Sequence, residues 1–369
     1  MKQVRILQIG MHDNLGGVEN FIMNYYKNID RQLIQFDFVN IYNKMCYEEE
    51  IKEMGGNIYN IKNVKKNPFK YYNQLKKILI ENNYEIVHIN LLSLANILPI
   101  IAAKRAKVHH IILHSHNGGT PKGILRKILN KINQKIIMKN PNFELWACSD
   151  VAGKWMFGNK KFTIIDNAIE TEKFEYNETK REDIRKKLKI DNNELVIGHV
   201  GRFQEQKNHT FLIDIFNEIH RKRNNSKLLL IGDGELRSNI EAKIKEMNLE
   251  NNVILLGIVN NTADYYQVMD VFLLPSLFEG LPIVSIEAQS SRLLCVMSES
   301  ITREAKIISS TQFISLEESS KQWADTILNL YDKYDRKSEK SKNEIERYNV
   351  KNRAKELQNL YLKIEKGTI

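Results

Sequence analysis

Along the first half of the chain, short runs of consecutive apolar residues alternate with longer segments whose apolar positions recur every three or four residues. The runs at 4–10, 34–40, 57–61, 85–90, 108–114, 143–147 and 162–165 predict strands, with helices between most of them. Such alternation predicts a parallel sheet covered on both faces, because each crossover helix packs back on the strands it joins. From about 174 to 193 the chain is polar and highly charged, which predicts a linker. A second alternating series follows, with strands at 195–200, 227–231, 253–256 and 271–274 and helices at 209–220, up to about 247, and at 265–269. Beyond 307 the pattern predicts a short strand and helices near 317–332, 338–348 and 350–366. A chain of 369 residues exceeds what one core ordinarily serves. The expectation is two α/β domains, 1–175 and 176–345, with 346–369 a C-terminal helix packing back on the first.

Composition narrows the class. With 42% apolar and 27% charged residues, the chain reads as a soluble globular protein. Cys46, Cys148 and Cys295 lack metal-ligand spacing and are too few for a disulfide framework, which points to a reducing cytoplasm. The N-terminus enters a strand pattern without the marks of a signal peptide, and no apolar run is long enough to span a bilayer.

Charge changes the picture more. Residues 1–175 hold 25 Lys and Arg against 16 Asp and Glu, and the remainder 30 against 29, so the net charge of +10 sits almost wholly in the first half. Between 86 and 143 lie nine basic residues and no acidic one. A positive face of this kind predicts an anionic partner: a membrane surface, a lipid pyrophosphate or nucleic acid. Within it, 122–139 reads as an amphipathic helix. Ile124, Leu125, Ile128, Leu129, Ile132 and Ile136 fall on one side, and Lys122, Arg126, Lys127 and Lys131 on the other. A core-facing helix with a solvated basic face is the ordinary reading of such a pattern; the absence of acids favours a helix that meets a membrane surface.

The candidate chemistry gathers where strands end. After the run at 271–274, Pro275 and Ser276 stop the strand, and Gly280, Leu281 and Pro282 restart the chain as a helix, with Pro282 suited to the first helical position. Free amides at such a start favour a phosphate. Glu279 lies in the loop before this helix and Glu287 about two turns into it, so two carboxylates flank a candidate phosphate site at the C-terminal edge of a parallel strand. Each has a plainer role when taken singly, Glu279 as a neutraliser of the helix dipole and Glu287 as a solvated side chain. Gly201 and Arg202, with Lys207, follow the strand at 195–200, where two fixed cations could clamp a diphosphate. Gly232 and Gly234 end the next strand, and Gly257 and Ile258 the one after it. Four successive strand ends thus converge on one sheet edge, as a nucleotide site requires. In the first half, Gly16 and Gly17 make a tight turn between strand and helix where a phosphate or sugar could lie. The strand at 108–114 runs into His114-Ser115-His116-Asn117-Gly118-Gly119. Either His114 or His116 could hold a sugar hydroxyl, with satisfaction by backbone groups the equal alternative. No third His or Cys stands nearby to complete a zinc site.

In order and spacing these residues resemble the retaining glycosyltransferases of family 4, whose two Rossmann-like domains face a cleft in the GT-B fold. The E-x7-E pattern from Glu279 to Glu287 carries the resemblance. Gly16-Gly17-Val18-Glu19, Gly201-Arg202 with Lys207, Gly232-Asp233-Gly234 and the stretch 270–276 extend it over nearly the whole chain. His114 to Asn117 together with 298–304 is similar to members that build bacterial capsular or exopolysaccharide repeat units. The resemblance implies two Rossmann-like, doubly wound parallel-sheet α/β domains facing a cleft. It also implies transfer of a sugar, with retention, from a nucleoside diphosphate, expected to be UDP, to a lipid-linked saccharide. By the same resemblance Arg202 and Lys207 bind the donor diphosphate, Glu279 contacts the donor sugar and Glu287 holds the ribose hydroxyls. Gly16 and Gly17 close over the donor, and His116, with His114 as the alternative, is the histidine on the sugar side. Gly201, Gly232, Gly234, Ile258, Gly280, Leu281 and Pro282 complete the donor site. No metal or other cofactor is expected, the nucleotide sugar being a co-substrate. The protein is expected to be cytoplasmic and peripheral on the inner face of the membrane, with Arg126, Lys127 and Lys131 against the anionic surface. One departure stands out: the family commonly has Gly then Pro in the segment that reads 291–295 here, so Arg292 is expected to crowd the exit from the helix.

Other readings are weaker. A nucleotide-sugar epimerase or phosphorylase on the same fold lacks, respectively, the Glu279 and Glu287 arrangement and a lysine context for a cofactor. A non-catalytic membrane scaffold that binds a nucleotide sugar has only Arg292 in its favour. A nucleic-acid partner is not expected, because the basic stretch lacks interleaved aromatics and contains no reading motif.

Overall fold

The computed structural model describes residues 3–14, 16–116, 119, 123–140, 142–339 and 342–367. Asn117, Gly118 and Lys122, singled out in the sequence, lie outside the described residues. The chain packs as two units, Met1–Ala168 with Val350–Ile369, and Ile169–Asn349. The first division falls seven residues before the expected 175 and the second four residues after the expected 345.

In the first unit the strands are β1 (Val4–Ile9), β2 (Ile34–Asn40), β3 (Ile58–Asn60), β4 (Ile86–Leu91), β5 (His110–Ser115), β6 (Glu144–Ala147) and β7 (Thr163–Ile164). Among the described residues they form one parallel sheet in the order β3-β2-β1-β4-β5-β6-β7. The connecting helices are α1 (Gly17–Asn28), α2 (Glu48–Glu53), α3 (Pro68–Glu81), α4 (Leu98–Arg105), α5 (Ile124–Met138) and α6 (Asp150–Phe157). Local chemistry fixes some of these starts: Asn67 accepts the Lys70 amide at 2.9 Å and Pro68 follows it, so α3 begins on a capped, preset turn. Side chains alternate across β1. Leu7 and Ile9 join Tyr71, Leu75 and Leu79 of α3 and Ile100 of α4 in one core, while Gln8 turns to the other face.

In the second unit the elements are α7 (Thr171–Phe174), α8 (Glu178–Lys187), β8 (Leu195–Val200), α9 (His209–Lys222), β9 (Ser226–Ile231), α10 (Arg237–Glu246), β10 (Val253–Gly257), α11 (Thr262–Val268) and β11 (Val271–Leu274). They continue with α12 (Ile283–Ser290), β12 (Leu294–Ser298), β13 (Gln312–Ile314), α13 (Ser320–Tyr331) and α14 (Lys342–Glu346), after which α15 (Val350–Glu365) returns to the first unit. There Tyr361 of α15 packs its ring against Phe36 of β2, on the face of the sheet that carries Gln8. The second sheet is parallel in the order β10-β9-β8-β11-β12-β13. Leu212, Phe216 and Ile219 of α9 and Trp323 and Ile327 of α13 fill its core against Ile197, Leu230 and Leu273.

In each sheet the strand order reverses once, between β1 and β4 and between β8 and β11, and open α/β sheets bind ligands in the crevice at such a reversal.

Four expectations need correction. The segment expected as a linker contains α8, because two of its arginines, Arg181 and Arg185, turn inward while its other charges stay exposed. Arg181 donates to the carbonyls of Gln267, Val268 and Met269 and pairs with Asp270 at 2.5 Å, and Asp270 also accepts the Val196 amide at 2.8 Å. The strand β12 had no counterpart in the pattern reading. Pro282 is the extended residue flanking α12 rather than its first helical residue, and its carbonyl accepts both the amide and the hydroxyl of Ser285. Arg292 does not crowd the helix exit. It adopts the left-handed conformation itself (φ 53°), with its amide bonded to the Gln289 carbonyl and that of Leu293 to the Ala288 carbonyl. This is a Schellman turn, with arginine where glycine is usual.

Candidate active site

In the second unit, Gly201 follows β8, and the chain then makes a 3-10 turn, Glu205–Lys207, before α9. That turn is tied to the loop after β11. The Gln206 carbonyl accepts the Leu277 amide at 2.8 Å, and the Gln206 side chain donates to the Phe278 carbonyl at 2.9 Å and to Glu279 Oε2 at 3.2 Å. Lys207 Nζ donates to Glu279 Oε1 at 2.7 Å, with both side chains largely buried. The structure therefore brings Lys207 and Glu279 together directly. Arg202 is exposed, and among the described residues no side chain or carbonyl holds its guanidinium. The cations expected as an equivalent pair are thus distinct, one anchoring a carboxylate and one open to solvent. Gly280, Leu281 and Pro282 are buried and carry the chain into the first turn of α12 at the same edge.

Two glycines here are required by the protein's own packing. Gly232 has φ +134°, and a Cβ on it would stand 2.1 Å from the Gly201 carbonyl oxygen; one on Gly234 would stand 2.5 Å from the Phe203 carbonyl oxygen. The loops after β8 and β9 can approach this closely only with glycine at those positions. Ile258, after β10, is 67% exposed.

Glu287 is not solvated. Its carboxylate is buried in α12 and accepts a hydrogen bond from Tyr266 of α11 at 2.8 Å. Burial outweighs that hydrogen bond and pushes its pKa up to about 7. The proton is held more tightly in the folded chain, so stability from this group is complete below the ordinary value of 4.5 and is lost as pH rises to about 7. Glu287→Gln should therefore gain on the wild type by roughly 3 kcal/mol above pH 7 and by little at pH 4.5. Denaturant unfolding of both at pH 5 and pH 8 measures this, and an equal difference at the two pH values would contradict it.

In the first unit, Gly16 precedes α1 in extended conformation, and a Cβ on Gly17 would meet nothing within 4 Å, so Gly17 leaves open space at the helix start. Behind it Glu19 is buried and accepts from the His12 amide and meets the His12 ring nitrogen Nδ1, both at 2.9 Å. His114 is fully buried, its Nδ1 3.0 Å from His88 Nε2, whereas His116 is partly exposed with Nε2 2.8 Å from Asn90 Oδ1. Of the two histidines, only His116 can meet a solute.

Helix α5 is mounted in the reverse of the ordinary orientation. Asn130 and Asn133 bond the amide and carbonyl of Leu94, each at 2.7 Å, and Gln134 donates to the carbonyls of Trp155 and Met156. These amides and Ile137 face the body of the unit. The apolar stripe points outward, with Ile124 and Leu125 79% and 69% exposed and Ile128, Leu129, Ile132 and Ile136 also exposed. Arg126, Lys127 and Lys131 are exposed on the same helix.

The pattern reading missed Asn90, Glu19, Tyr266 and Gln206 as parts of these sites. Glu19 alone carried a signal, standing within the Gly-Gly-Val-Glu motif. Among the described residues no helix is long and apolar enough to cross a membrane, and no group of three or more His, Cys, Asp or Glu is placed to hold a metal ion.

Comparison with known proteins places the chain. Residues 180–351 match the family model for glycosyl transferases group 1, and residues 16–137 that for glycosyl transferase 4-like domains. The putative glycosyltransferase EpsF of Bacillus subtilis is 32% identical over 88% of this chain and 87% of its own length. The capsular polysaccharide biosynthesis glycosyltransferase CapH of Staphylococcus aureus is 27% identical over 97% and 99%. The Escherichia coli UDP-Gal:alpha-D-GlcNAc-diphosphoundecaprenol alpha-1,3-galactosyltransferase is 30% identical over 61% and 60%. Among solved structures, Anabaena HepE, in complex with UDP and glucose, superposes with a TM-score of 0.78 over 97% of this chain and 99% of that one, at 15% identity. With two doubly wound parallel-sheet units of the GT-B class and these relatives, the chain belongs to the group 1 glycosyltransferases, as a hexosyltransferase of polysaccharide biosynthesis.

Proposed function

We propose that the chain transfers a hexose from a UDP-sugar to a hydroxyl of a lipid-linked saccharide, with retention and without a metal, while seated on the inner face of the bacterial membrane. The observation that carries this reading is the donor edge of the second unit, where the open Arg202, the Lys207–Glu279 pair and the first turn of α12 meet at the reversal between β8 and β11. As the bond from the anomeric carbon to the diphosphate breaks and a bond to the acceptor oxygen forms, charge develops on the leaving group and the acceptor proton passes to it. Arg202 and the α12 amides stabilise that charge electrostatically, the largest lever a protein has for such a step. Lys207 holds Glu279 toward the donor sugar, and Glu287 takes the ribose hydroxyls. Solved HepE with UDP and glucose supports a UDP-sugar donor, and the E. coli relative, named for a diphosphoundecaprenol acceptor, supports a lipid-linked one. The outward apolar and basic faces of α5 support the membrane seat.

The test is a panel of UDP- and GDP-hexoses incubated with the protein, membrane lipid extract and excess chelator, with lipid products read by mass spectrometry. The expected product is lipid one hexose heavier, formed from a UDP donor with the donor's anomeric configuration. Inverted product, activity only with GDP-sugars, or loss of activity to the chelator would each remove the corresponding part of the proposal.

A further inference from the structure

The ring of His116 has one hydrogen-bond partner among the described residues. Asn90, near the end of β4, accepts from or donates to His116 Nε2 depending on which way its amide points, and at 2.8 Å the contact alone does not decide. The other end of the amide decides it. Asn90 Nδ2 lies 3.3 Å from the Ile9 backbone carbonyl, which can only accept, and 3.1 Å from Gln8 Oε1. The nitrogen must face Ile9, so the oxygen faces His116, and His116 carries its proton on Nε2. The backbone makes this arrangement possible: Gly10 follows β1 with φ +118°, and a Cβ there would stand 2.4 Å from the Asn90 carbonyl oxygen. With Nε2–H committed, Nδ1 holds a lone pair that no described residue engages.

We propose that Asn90 is a positioning residue that holds His116 as the Nε2–H tautomer, so that Nδ1 accepts a hydrogen bond from a hydroxyl of the bound sugar. This rests on the reading of His116 as the sugar-side histidine. A fixed acceptor selects a group with a hydrogen to give. A sugar carrying a free hydroxyl at that carbon is taken, and one carrying a carboxylate or an O-methyl there is rejected, because acceptor then meets acceptor.

The groups packed on the ring keep it neutral. From β5 the His114 ring packs tilted against it with centroids 4.0 Å apart, behind it stands His88 of β4, and Tyr361 of α15 reaches His88 Nδ1 at 2.6 Å; from α1 the contact is the apolar Phe21. Burial depresses the pKa of His116 to about 3, so the lone pair is present at all working pH values. A carboxylate at position 90 would raise that pKa and uncover a loss of activity as pH falls.

Long-range 1H–15N correlation on the full chain labelled with 15N-histidine reads the tautomer directly, the His116 signals being assigned by their loss in His116→Ala. The expected wild-type spectrum has protonated Nε2 and unprotonated Nδ1, and Asn90→Leu should mix the tautomers and lower kcat/KM about tenfold to a hundredfold, by analogy with the partners that orient metal-ligating histidines. Asn90→Asp should move the acid limb of kcat/KM to higher pH. A wild-type spectrum with protonated Nδ1 would overturn the proposal, as would Asn90→Leu with an unchanged tautomer and unchanged kcat/KM. If the tautomer is as stated but His116→Ala transfers sugar at the wild-type rate, the sugar contact itself falls and the proposal with it.

Discussion

Replacing Glu279 with Ala should lower kcat/KM for sugar transfer by about a hundredfold to a thousandfold, the scale for removing one polar group aimed at the reacting centre. The Glu279 side chain stands at the donor edge, where it also pairs with the largely buried Lys207. It is held by Lys207 at 2.7 Å and Gln206 at 3.2 Å on a loop whose preceding residues are tied to the turn after the neighbouring strand β8. Lys207→Ala should lose activity on the same scale, because it releases Glu279 and leaves a carboxylate buried without its cation, which also costs stability, about 3 kcal/mol. The double variant should then be far from additive, losing little beyond either single one. Circular dichroism and chemical unfolding separate the stability loss from the catalytic one. Wild-type kcat/KM in a folded Glu279→Ala variant would remove Glu279 from the site, and fully additive losses would mean that the two residues act apart.

The second large effect concerns α5. Ile128→Glu with Ile132→Glu should reduce partition onto vesicles containing anionic lipid by at least about a hundredfold, since burying each isoleucine contributes about 1.5–3 kcal/mol and a charge in its place opposes insertion. Lys127→Glu with Lys131→Glu should weaken binding to anionic vesicles while changing binding to neutral ones little, at about 1 kcal/mol for each basic residue lost. All four side chains are exposed, so unfolding free energies should stay within about 0.5 kcal/mol of the wild type. Flotation with vesicles of each composition makes the comparison. Equal flotation of the wild type and the Ile128, Ile132 variant would leave α5 without a role at the membrane.

Where the sequence could be read, and where it could not, follows from what each signal encodes. The strands of both parallel sheets stand out as near-continuous apolar runs because they are buried on both faces. The exception, β12, follows α12 through a turn that usually announces itself with glycine; Arg292 in the left-handed conformation hides the break, and Leu293 to Ser298 reads as more of the same apolar segment. Charge misled at α8 because composition does not say whether an arginine faces water or, as Arg181 does, a row of carbonyls. At α5 the periodicity defined an apolar face, but a helix pattern does not say whether that face is covered. The asparagines and glutamine at positions 130, 133 and 134 share the covered face, and that spacing was the available signal. The candidate site residues at strand ends were legible as motifs. Their partners were not: Asn90 reaches His116 and Ile9 only because β1, β4 and β5 are neighbours in the sheet, and Tyr266 reaches Glu287 only because α11 packs on α12. Such contacts lie far apart in sequence and leave no local pattern.

The measurement that bears most directly on the account is calorimetric titration of UDP into the wild type and Arg202→Ala, with chelator in excess. An exposed guanidinium on a diphosphate contributes about 1.5–3 kcal/mol as a charge-assisted hydrogen bond. The wild type should therefore bind UDP without metal, and the variant should bind it at least about tenfold more weakly while unfolding at the same denaturant concentration. Equal affinity in the two proteins, or no binding by the wild type, would contradict the placement of the nucleoside diphosphate at the edge between β8 and β11.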